Sequence, residues 1–282
     1  MKITVSVEST NDLSKELIEQ HGIKVIPYEI VMGDKVFKDG EISTPDLFEM
    51  VDKQGALPKT NAINEYEYTE YFEGLKKDCD AVVHICLSSG LSSSCANAQR
   101  AAGNVDNVYV VDSSSLSTGI GLLALAASEL AAEGKTAQEI VKILEERKQK
   151  LQVSFVIERL DYLYKGGRCN SLAYFGANLL RLRPRIVVKD GKMGADKKYR
   201  GNMEKVVAKY CEDVLEEFNT PDLSKAFVTY TTATEPMVKE AKAALERRGF
   251  KNIYETHAGC TIASHCGGNT LGILFFNDGD KA

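Results

Sequence analysis

Three segments rich in hydroxyl side chains could bind a small anion. Residues 88–94 are SSGLSSS, residues 112–115 are DSSS, and residues 8–12 are ESTND. Each follows an apolar, strand-like run and precedes a helix-like pattern. Backbone N–H groups at helix N-termini favour negative charge, and hydroxyl groups add donors that can rotate into place. We therefore expect these segments to hold an anionic group, with Ser92, Ser93 and Ser113 as candidate donors.

Other interpretations of the serines remain open. Serines also serve as helix caps and turn formers, and one such segment alone would be explained that way. Three of them at strand ends favour a ligand, because open α/β sheets bind ligands there. Residues 90–94 nearly match the nucleophile elbow G-x-S-x-G but lack its second glycine, and no Asp/His pair can be assigned. A serine esterase that uses Ser92 is therefore kept as an alternative.

Four further residues could contact the same anion. Thr60 lies in a proline-containing segment just before a predicted helix, where its hydroxyl could either form a turn or donate to a ligand. Arg168 follows the glycine pair 166–167, which caps a helix, and could reach a phosphate or a carboxylate of a partner. His265 and Gly268 precede the last strand, where a glycine pair allows a ligand close to the backbone.

The motifs for a metal or a nucleotide cofactor do not match. A zinc site could use the residue types of His257, Cys260, His265 and Cys266. Their spacing, however, fits no standard zinc finger or zinc ribbon. There is no G-x-G-x-x-G after a strand and no G-x-x-x-x-G-K-[ST]. We expect no metal and no cofactor, and the chain shows no means of binding ATP by itself.

Composition restricts the class of protein. The 282 residues are 44% hydrophobic and 27% charged, with a formal net charge of -5. These values are typical of a globular protein and argue against a nucleic-acid-binding surface. No apolar run approaches the roughly 20 residues of a membrane span, and the N-terminus has no signal-peptide pattern. Seven cysteines without a CxxC pair favour a reducing cytoplasm.

The elements alternate between strand and helix in the first half. Continuous apolar runs predict parallel strands covered on both faces, as in a Rossmann-like sheet without its dinucleotide motif. Asn11 or Asp12 is expected to cap the first helix, and residues 57–61 are expected to be a loop. Predicted strands are 2–7, 23–32, 81–87 and 108–111, and the longer helices are 44–54, 64–77, 116–132 and 137–150.

The second half predicts a mixed α+β domain. Asp190-Gly191 between two apolar runs indicates a two-residue hairpin. We place the domain boundary at 150/151, which gives an α/β domain over 1–150 and an α+β domain over 151–282. Predicted strands are 153–157, 185–188, 192–195, 226–230, 252–255 and 270–276, and predicted helices are 159–165, 203–218 and 235–247.

Taken in order, these segments resemble the DegV family of bacterial lipid-binding proteins, which includes the fatty-acid-binding subunit of fatty acid kinase. The resemblance covers essentially the whole chain. Glu8 stands where the family usually has Asp, and Asn61 stands where Ser commonly follows the loop threonine. The segments that carry it are VSVESTNDL (5–13), PKTN (58–61), SSGLS (88–92), VDS (111–113), LDYLYKGGR (160–168) and HCGGNTLG (265–272).

The resemblance implies a long-chain fatty acid in an apolar tunnel, with its carboxylate held by Thr60 and Ser92 and with His265 near the head group. Asn61, Ser93, Ser113 and Gly268 are secondary candidates for contact with the ligand. A separate ATP-binding kinase subunit would phosphorylate the carboxylate, and Arg168 would contact that partner or the phosphate. Brief contact with a membrane surface is compatible with this role. A lipid sensor or store without a kinase partner is the second alternative.

Overall fold

A parallel four-stranded sheet forms the centre of the first half. The computed structural model describes residues 1–169 and 182–279. The sheet has the order β2 (Lys24–Ile26), β1 (Ile3–Glu8), β6 (Ala81–Cys86) and β7 (Val108–Asp112), with all neighbours parallel. Every residue of β6 is buried, as expected for a strand covered on both faces. The prediction of a parallel sheet is therefore confirmed.

Helices cover both faces of this sheet. One pair consists of α3 (Glu65–Lys76) and α4 (Ser94–Ala102), and the other of α5 (Thr118–Ala132) and α6 (Ala137–Arg147). Asn64 and Thr136 form capping boxes at the starts of α3 and α6, which satisfy backbone N–H groups that a helix leaves free. The chain therefore enters each of these helices at the position that its capping residue predicts.

The first helix begins later than predicted. Ser14, rather than Asn11 or Asp12, caps α1 (Lys15–Gln20) and accepts from the Leu17 N–H. The Asn11 side chain is already used, because it donates to the Glu8 carbonyl and accepts from the Leu13 N–H. These local bonds stabilise a 3₁₀ turn at Ser9–Asn11 instead of a helix start.

The strand predicted over 23–32 is two strands in different sheets. The chain leaves β2 at Pro27 and Tyr28 and re-forms as β3 (Glu29–Met32). A proline removes a ladder donor, so the pairing is interrupted there. β3 lies between β4 (Lys35–Lys38) and β5 (Lys59–Asn61) in a small antiparallel sheet. The predicted loop 57–61 therefore ends in a strand.

A mixed six-stranded sheet forms the second half. The Asp190-Gly191 hairpin is confirmed, with φ values of 49° and 74° at the two turn residues. Between the two halves, one apolar core runs without interruption from Val5 and Ile120 to Val153 and Leu274. The domain boundary at 150/151 stays a prediction. The sheet order is β10 (Lys192–Tyr199), β9 (Arg183–Lys189), β8 (Leu151–Val156), β13 (Leu271–Phe276), β11 (Lys225–Tyr230) and β12 (Asn252–His257).

Five more α-helices complete the described residues. α2 (Thr44–Gln54) follows the small sheet, while α8 (Met203–Glu217) and α9 (Glu235–Arg248) pack on the six-stranded sheet. α7 (Leu160–Gly166) contacts α10 (Cys260–Cys266), a short helix of small residues that the sequence analysis missed. Within 1–169 and 182–279, no helix is both long enough and apolar enough to cross a bilayer.

We expect Tyr210→Phe to lower the free energy of unfolding by about 1–3 kcal/mol, because it removes the hydrogen bonds of a buried hydroxyl. This hydroxyl donates to the Ser154 carbonyl at 2.7 Å and accepts from the Ile273 N–H at 3.1 Å. Urea denaturation measures the change. Tyr66→Phe on the exposed face of α3 is the matched control and should leave the midpoint unchanged. Equal midpoints for all three proteins would contradict this account.

Candidate functional site

A cavity lies where the parallel sheet, the small sheet and α10 meet. It encloses about 600 Å³, part of which is open to solvent. Its wall combines apolar side chains with polar groups, and we call the part that carries Thr60, Ser92 and His265 its polar end. The polar members are Tyr28, Thr60, Ser92, Ser93, Thr261, Arg168 and His265, and the larger apolar members are Leu87, Leu91, Leu116, Met193 and Ile262.

A second, apolar cavity continues from the first. It spans about 330 Å³, part of which is open to solvent, and shares Leu116, Ile262 and Cys266 with the first cavity, so the two lie side by side at these residues. Phe155 and Leu274 of the six-stranded sheet form part of its wall. We refer to this adjoining pair of cavities, one with polar groups in its wall and one largely apolar, as the tunnel.

Thr60 and His265 are paired at the polar end. Thr60 Oγ1 lies 2.9 Å from His265 Nε2, and this hydrogen bond joins β5 to α10. A Cβ atom at Gly166 would lie 2.6 Å from His265 Nδ1, so a glycine at this position allows α7 to approach the ring. Burial, with a smaller effect from Arg168, lowers the pKa of His265 to about 4. The imidazole is therefore neutral at pH 7 and is a hydrogen-bonding group, not a cation.

Ser92 has one hydrogen left to donate. Its Oγ accepts from the Tyr28 hydroxyl at 3.1 Å and from the Ser94 N–H at 3.2 Å. A serine hydroxyl has two acceptor positions and a single proton. With both acceptor positions filled, the proton of Ser92 is available to a group in the cavity.

Arg168 closes one side of the polar end. Its Nη1 donates to the Gly166 carbonyl at 2.6 Å, and its Nε donates to the Leu91 carbonyl at 3.4 Å. These bonds connect the end of α7 to the segment that carries Ser92. The guanidinium is thus held beside the cavity by backbone acceptors.

Three of the predicted site residues lie outside both cavities. Asn61 lies on the edge strand β5, and its side-chain amide donates to the Glu29 carboxylate of β3. Ser113 is buried in a turn, where it donates to the Ser115 carbonyl and accepts from the Ser115 N–H. Gly268 lies beside Thr232 and Phe48. The structure therefore brings together Thr60, Ser92, Ser93, Arg168 and His265, and not these three.

The expectation that all three hydroxyl segments face one ligand needs correction. Leu91, Ser92 and Ser93 of the first segment line the cavity, whereas carboxylates of the other two segments hydrogen-bond to backbone N–H groups at and just before the first segment. The Glu8 carboxylate accepts from the Leu87 N–H at 2.7 Å, and Asp112 Oδ1 accepts from Ser89 and Ser114 N–H groups. The carboxylates thus accept from backbone donors of neighbouring turns, and neither of these two segments is part of the cavity wall.

Three residues that line the site, Tyr28, Thr261 and Ile262, were missed in the sequence. Tyr28 is 2% exposed and lines the cavity from the break between β2 and β3. Thr261 and Ile262 line it from α10. Pro27 marks the break before Tyr28. The sequence signal for helix α10 is weaker. It is the glycine that ends the helix, Gly267, which has a φ of 73°.

The arrangement does not favour the esterase alternative. A serine nucleophile needs a base within hydrogen-bond reach, and that base needs a third group to orient it. His265 is bonded to Thr60, while Ser92 is bonded to Tyr28. His265 Nδ1 is buried without a hydrogen-bond partner among the residues that the structure describes. A triad centred on Ser92 is therefore not formed in the described structure.

A trio of potential metal ligands lies elsewhere. Within the described ranges, Glu8, His84 and Cys86 are buried with ligand atoms within 4.8 Å of one another. This trio differs from the set weighed in the sequence. Both Glu8 oxygens already accept hydrogen bonds, one from Tyr68 and the other from the Leu87 N–H. The trio is therefore a hydrogen-bonded part of the core.

Comparison with known proteins gives the family. Residues 2–278 match the DegV family, which is described as a family of uncharacterised proteins. The chain belongs to the DegV family. It is 30% identical over 278 residues to a DegV domain-containing protein of Caldanaerobacter subterraneus, and the match covers 97% of this chain and 98% of that protein.

Solved structures of the DegV family have the same fold. A Thermus thermophilus DegV family protein, described for its fatty acid binding, superposes with a TM-score of 0.89 at 27% identity and covers 98% of this chain and 99% of its own. DegV of Bacillus subtilis, described as a fatty acid binding protein, gives 0.87 at 30% identity, with the same coverage. The α/β fold inferred from the sequence is thus confirmed for this DegV family protein.

We expect His265→Gln to reduce the loss of stability in acid. A folded-state pKa of about 4, against an ordinary value of 6.5, means that the unfolded chain binds more protons between these values. The stability due to the neutral ring is fully present above pH 6.5 and is lost as the pH falls toward 4. Urea denaturation at pH 7 and pH 5 measures the loss. The exposed His257 supplies the control His257→Gln, and an identical pH dependence in both variants would refute the prediction.

Proposed function

We propose that this DegV family protein binds a long-chain fatty acid in the tunnel and presents its carboxylate to a separate ATP-binding kinase subunit. Thr60, Ser92 and His265 hold the carboxylate, and the acyl chain fills the apolar interior. The observation that carries the proposal is the tunnel itself, which combines hydroxyl donors in the first cavity with largely apolar walls in the adjoining second cavity. The fatty acid binding described for the Thermus thermophilus and Bacillus subtilis relatives supports it.

The acyl chain supplies most of the binding free energy. Each buried methylene contributes about 0.8 kcal/mol, so a palmitoyl chain with about 14 methylenes gains roughly 11 kcal/mol before ordering costs. The carboxylate gives up strong hydration when it enters, so its donors chiefly prevent an unpaired buried charge. Thr60 and Ser92 therefore fix the orientation of the ligand more than its affinity.

Neutral donors suit a carboxylate that must react. A lysine or arginine paired directly with it would reduce its nucleophilicity toward ATP. Two lysines lie outside, in a cleft of about 790 Å³ that reaches the other side of Thr60 and His265, and Arg168 lies between this cleft and the cavity. Lys59, Lys165 and Arg168 line this cleft. Their positive charge favours a phosphate group arriving from the partner, so Arg168 serves the partner or the phosphate of an acyl-phosphate product.

In this proposal, ATP binds to the partner subunit. The proposal includes a cytoplasmic location, brief contact with a membrane surface during fatty acid exchange, and no cofactor other than the bound fatty acid. Titration of the lipid-stripped protein with palmitate tests the binding step. A saturable one-to-one complex supports it, and absence of uptake refutes it.

We expect Ile262→Phe to shorten the preferred acyl chain, because Ile262 lines both cavities where they meet. Affinity for palmitate should fall by more than about tenfold, since several methylenes lose their burial, while decanoate should still bind. Competition binding with both fatty acids measures the shift. Ile18→Phe on α1, outside both cavities, is the matched control. A proportional loss for both fatty acids would contradict the tunnel path.

We expect Ser92→Ala to retain palmitate with less than about a tenfold loss of affinity, because the acyl chain dominates binding. Phosphorylation by the kinase subunit should fall by about 100-fold or more, since a misplaced reacting group reacts slowly. Palmitate titration and transfer of labelled phosphate from ATP measure the two effects. Ser89→Ala, at an exposed position in the same segment, is the control. A Ser92→Ala variant with both properties intact would refute the orienting role.

A further inference from the structure

Three residues line both cavities of the tunnel, and we call them the junction. They come from two distant parts of the chain: Leu116 lies just before α5, whereas Ile262 and Cys266 lie on α10. A ligand with its head group in the first cavity and its tail in the second must pass these side chains. The spacing between α10 and the start of α5 therefore decides how wide an acyl chain can be at this point.

Asp12 is hydrogen-bonded to both sides of the junction. Its buried side chain accepts from the Ser117 hydroxyl through Oδ2 at 2.5 Å and from the Gly259 N–H through Oδ1 at 2.8 Å. Ser117 is the residue after Leu116, and Gly259 is the residue before α10. Asp12 itself lines neither cavity, so its effect on a ligand is exerted through these two bonds.

Helix α10 is held at both ends by side chains of neighbouring segments. A helix leaves its first N–H groups and its last carbonyls without partners of its own. The carboxylates of Asp12 and Asp39 accept from the N–H groups of residues 259–261 at the start of α10. The hydroxyls of Thr231 and Thr270 donate to two carbonyls at its end, at 2.7 and 3.0 Å. A shift of this wall away from the ligand would therefore break several hydrogen bonds.

The other side of the junction is held in a costly backbone conformation. Ser117 has a φ of 53° and a ψ of -142°, a region that glycine adopts far more readily than serine. Glycine would relieve this cost, but it has no hydroxyl to donate to Asp12. Strained residues persist where the surrounding structure fixes them, and they cluster at ligand-binding positions. Ser117 fits this pattern, because it also lines the second cavity.

We propose that Asp12 is a positioning residue that sets the width of the junction and thereby selects straight acyl chains over chains with a branch near the middle. Its two bonds hold Leu116 and α10 at a fixed spacing. A methyl branch at the junction must push these walls apart, and overfilling a packed apolar site weakens binding. This inference rests on the proposed function and adds a substrate specificity to it.

The ratio of the affinities for octadecanoate and 10-methyloctadecanoate measures this selectivity. The wild-type protein should prefer octadecanoate by about tenfold or more. Asp12→Gly and Ser117→Gly each remove the bond between the two side chains, and glycine suits the positive φ at both positions. We expect each variant to lower the ratio by about fivefold or more, because the walls can then separate.

Two further variants separate positioning from a general loss of stability. Tyr210→Phe weakens the core on the other side of the six-stranded sheet, lines neither cavity and should keep the wild-type ratio. Asp12→Asn is the conservative rescue and should restore the ratio. Its amide oxygen can accept from the Gly259 N–H, while its NH₂ group can donate to the Ser117 oxygen.

Each outcome supports or overturns the inference. A wild-type ratio near one, or an unchanged ratio in both glycine variants, overturns the role of Asp12 and leaves fatty acid binding intact. An equal fall in Tyr210→Phe, or no rescue by Asp12→Asn, overturns the assignment to these two bonds. If Asp12→Gly does not fold, Ser117→Gly decides the question alone. Failure of every protein to bind either acid overturns the proposed function and this inference with it.

Discussion

The site depends on one constraint: a carboxylate that leaves water needs donors, and the donors must not bring a charge that the surroundings cannot balance. The described structure meets it with hydroxyl groups whose other hydrogen-bonding positions are already filled. Ser92 accepts from Tyr28 and from a backbone N–H, so its proton is directed into the cavity. Thr60 is fixed by a histidine that burial keeps neutral. The apolar walls of the tunnel then require that the rest of the ligand be apolar.

The fold brings these groups together from distant parts of the chain. Thr60 lies on the small sheet, Ser92 follows the inner strand β6 of the parallel sheet, and His265 lies on a short helix before the last strand. Close packing secures the arrangement. Gly166 leaves room for the imidazole, and the Ser88 hydroxyl donates to the Gly191 carbonyl in the hairpin of the six-stranded sheet at 2.7 Å. The opening is therefore built by all three sheets, which explains why no single motif describes it.

Much of the fold could be predicted from local rules. Capping boxes mark α3 and α6, continuous apolar runs mark β6 and β7, and Asp190-Gly191 marks a hairpin, because each depends on residues close in sequence. The predictions that failed concern segments whose structure depends on contacts with residues distant in the sequence. The residues at 57–61 have a loop-like composition, yet Thr60 pairs with Ile30 in a sheet. Helix α10 is made of small residues whose pattern is weak, and its packing against α7 stabilises it. In the sequence, Ser113 and Asn61 resemble ligand donors. In the structure, however, their side chains form hydrogen bonds to other groups of the protein, away from the cavity.

The most direct test of the central claim is the mass of the protein as purified from a bacterial host. Native mass spectrometry followed by denaturing extraction would reveal a ligand and identify it. We expect an added mass equal to one long-chain fatty acid, which appears free after extraction and whose value gives chain length and unsaturation. A protein that carries no ligand and also takes up no added fatty acid would contradict the account and would leave the polar opening of the tunnel to another anion.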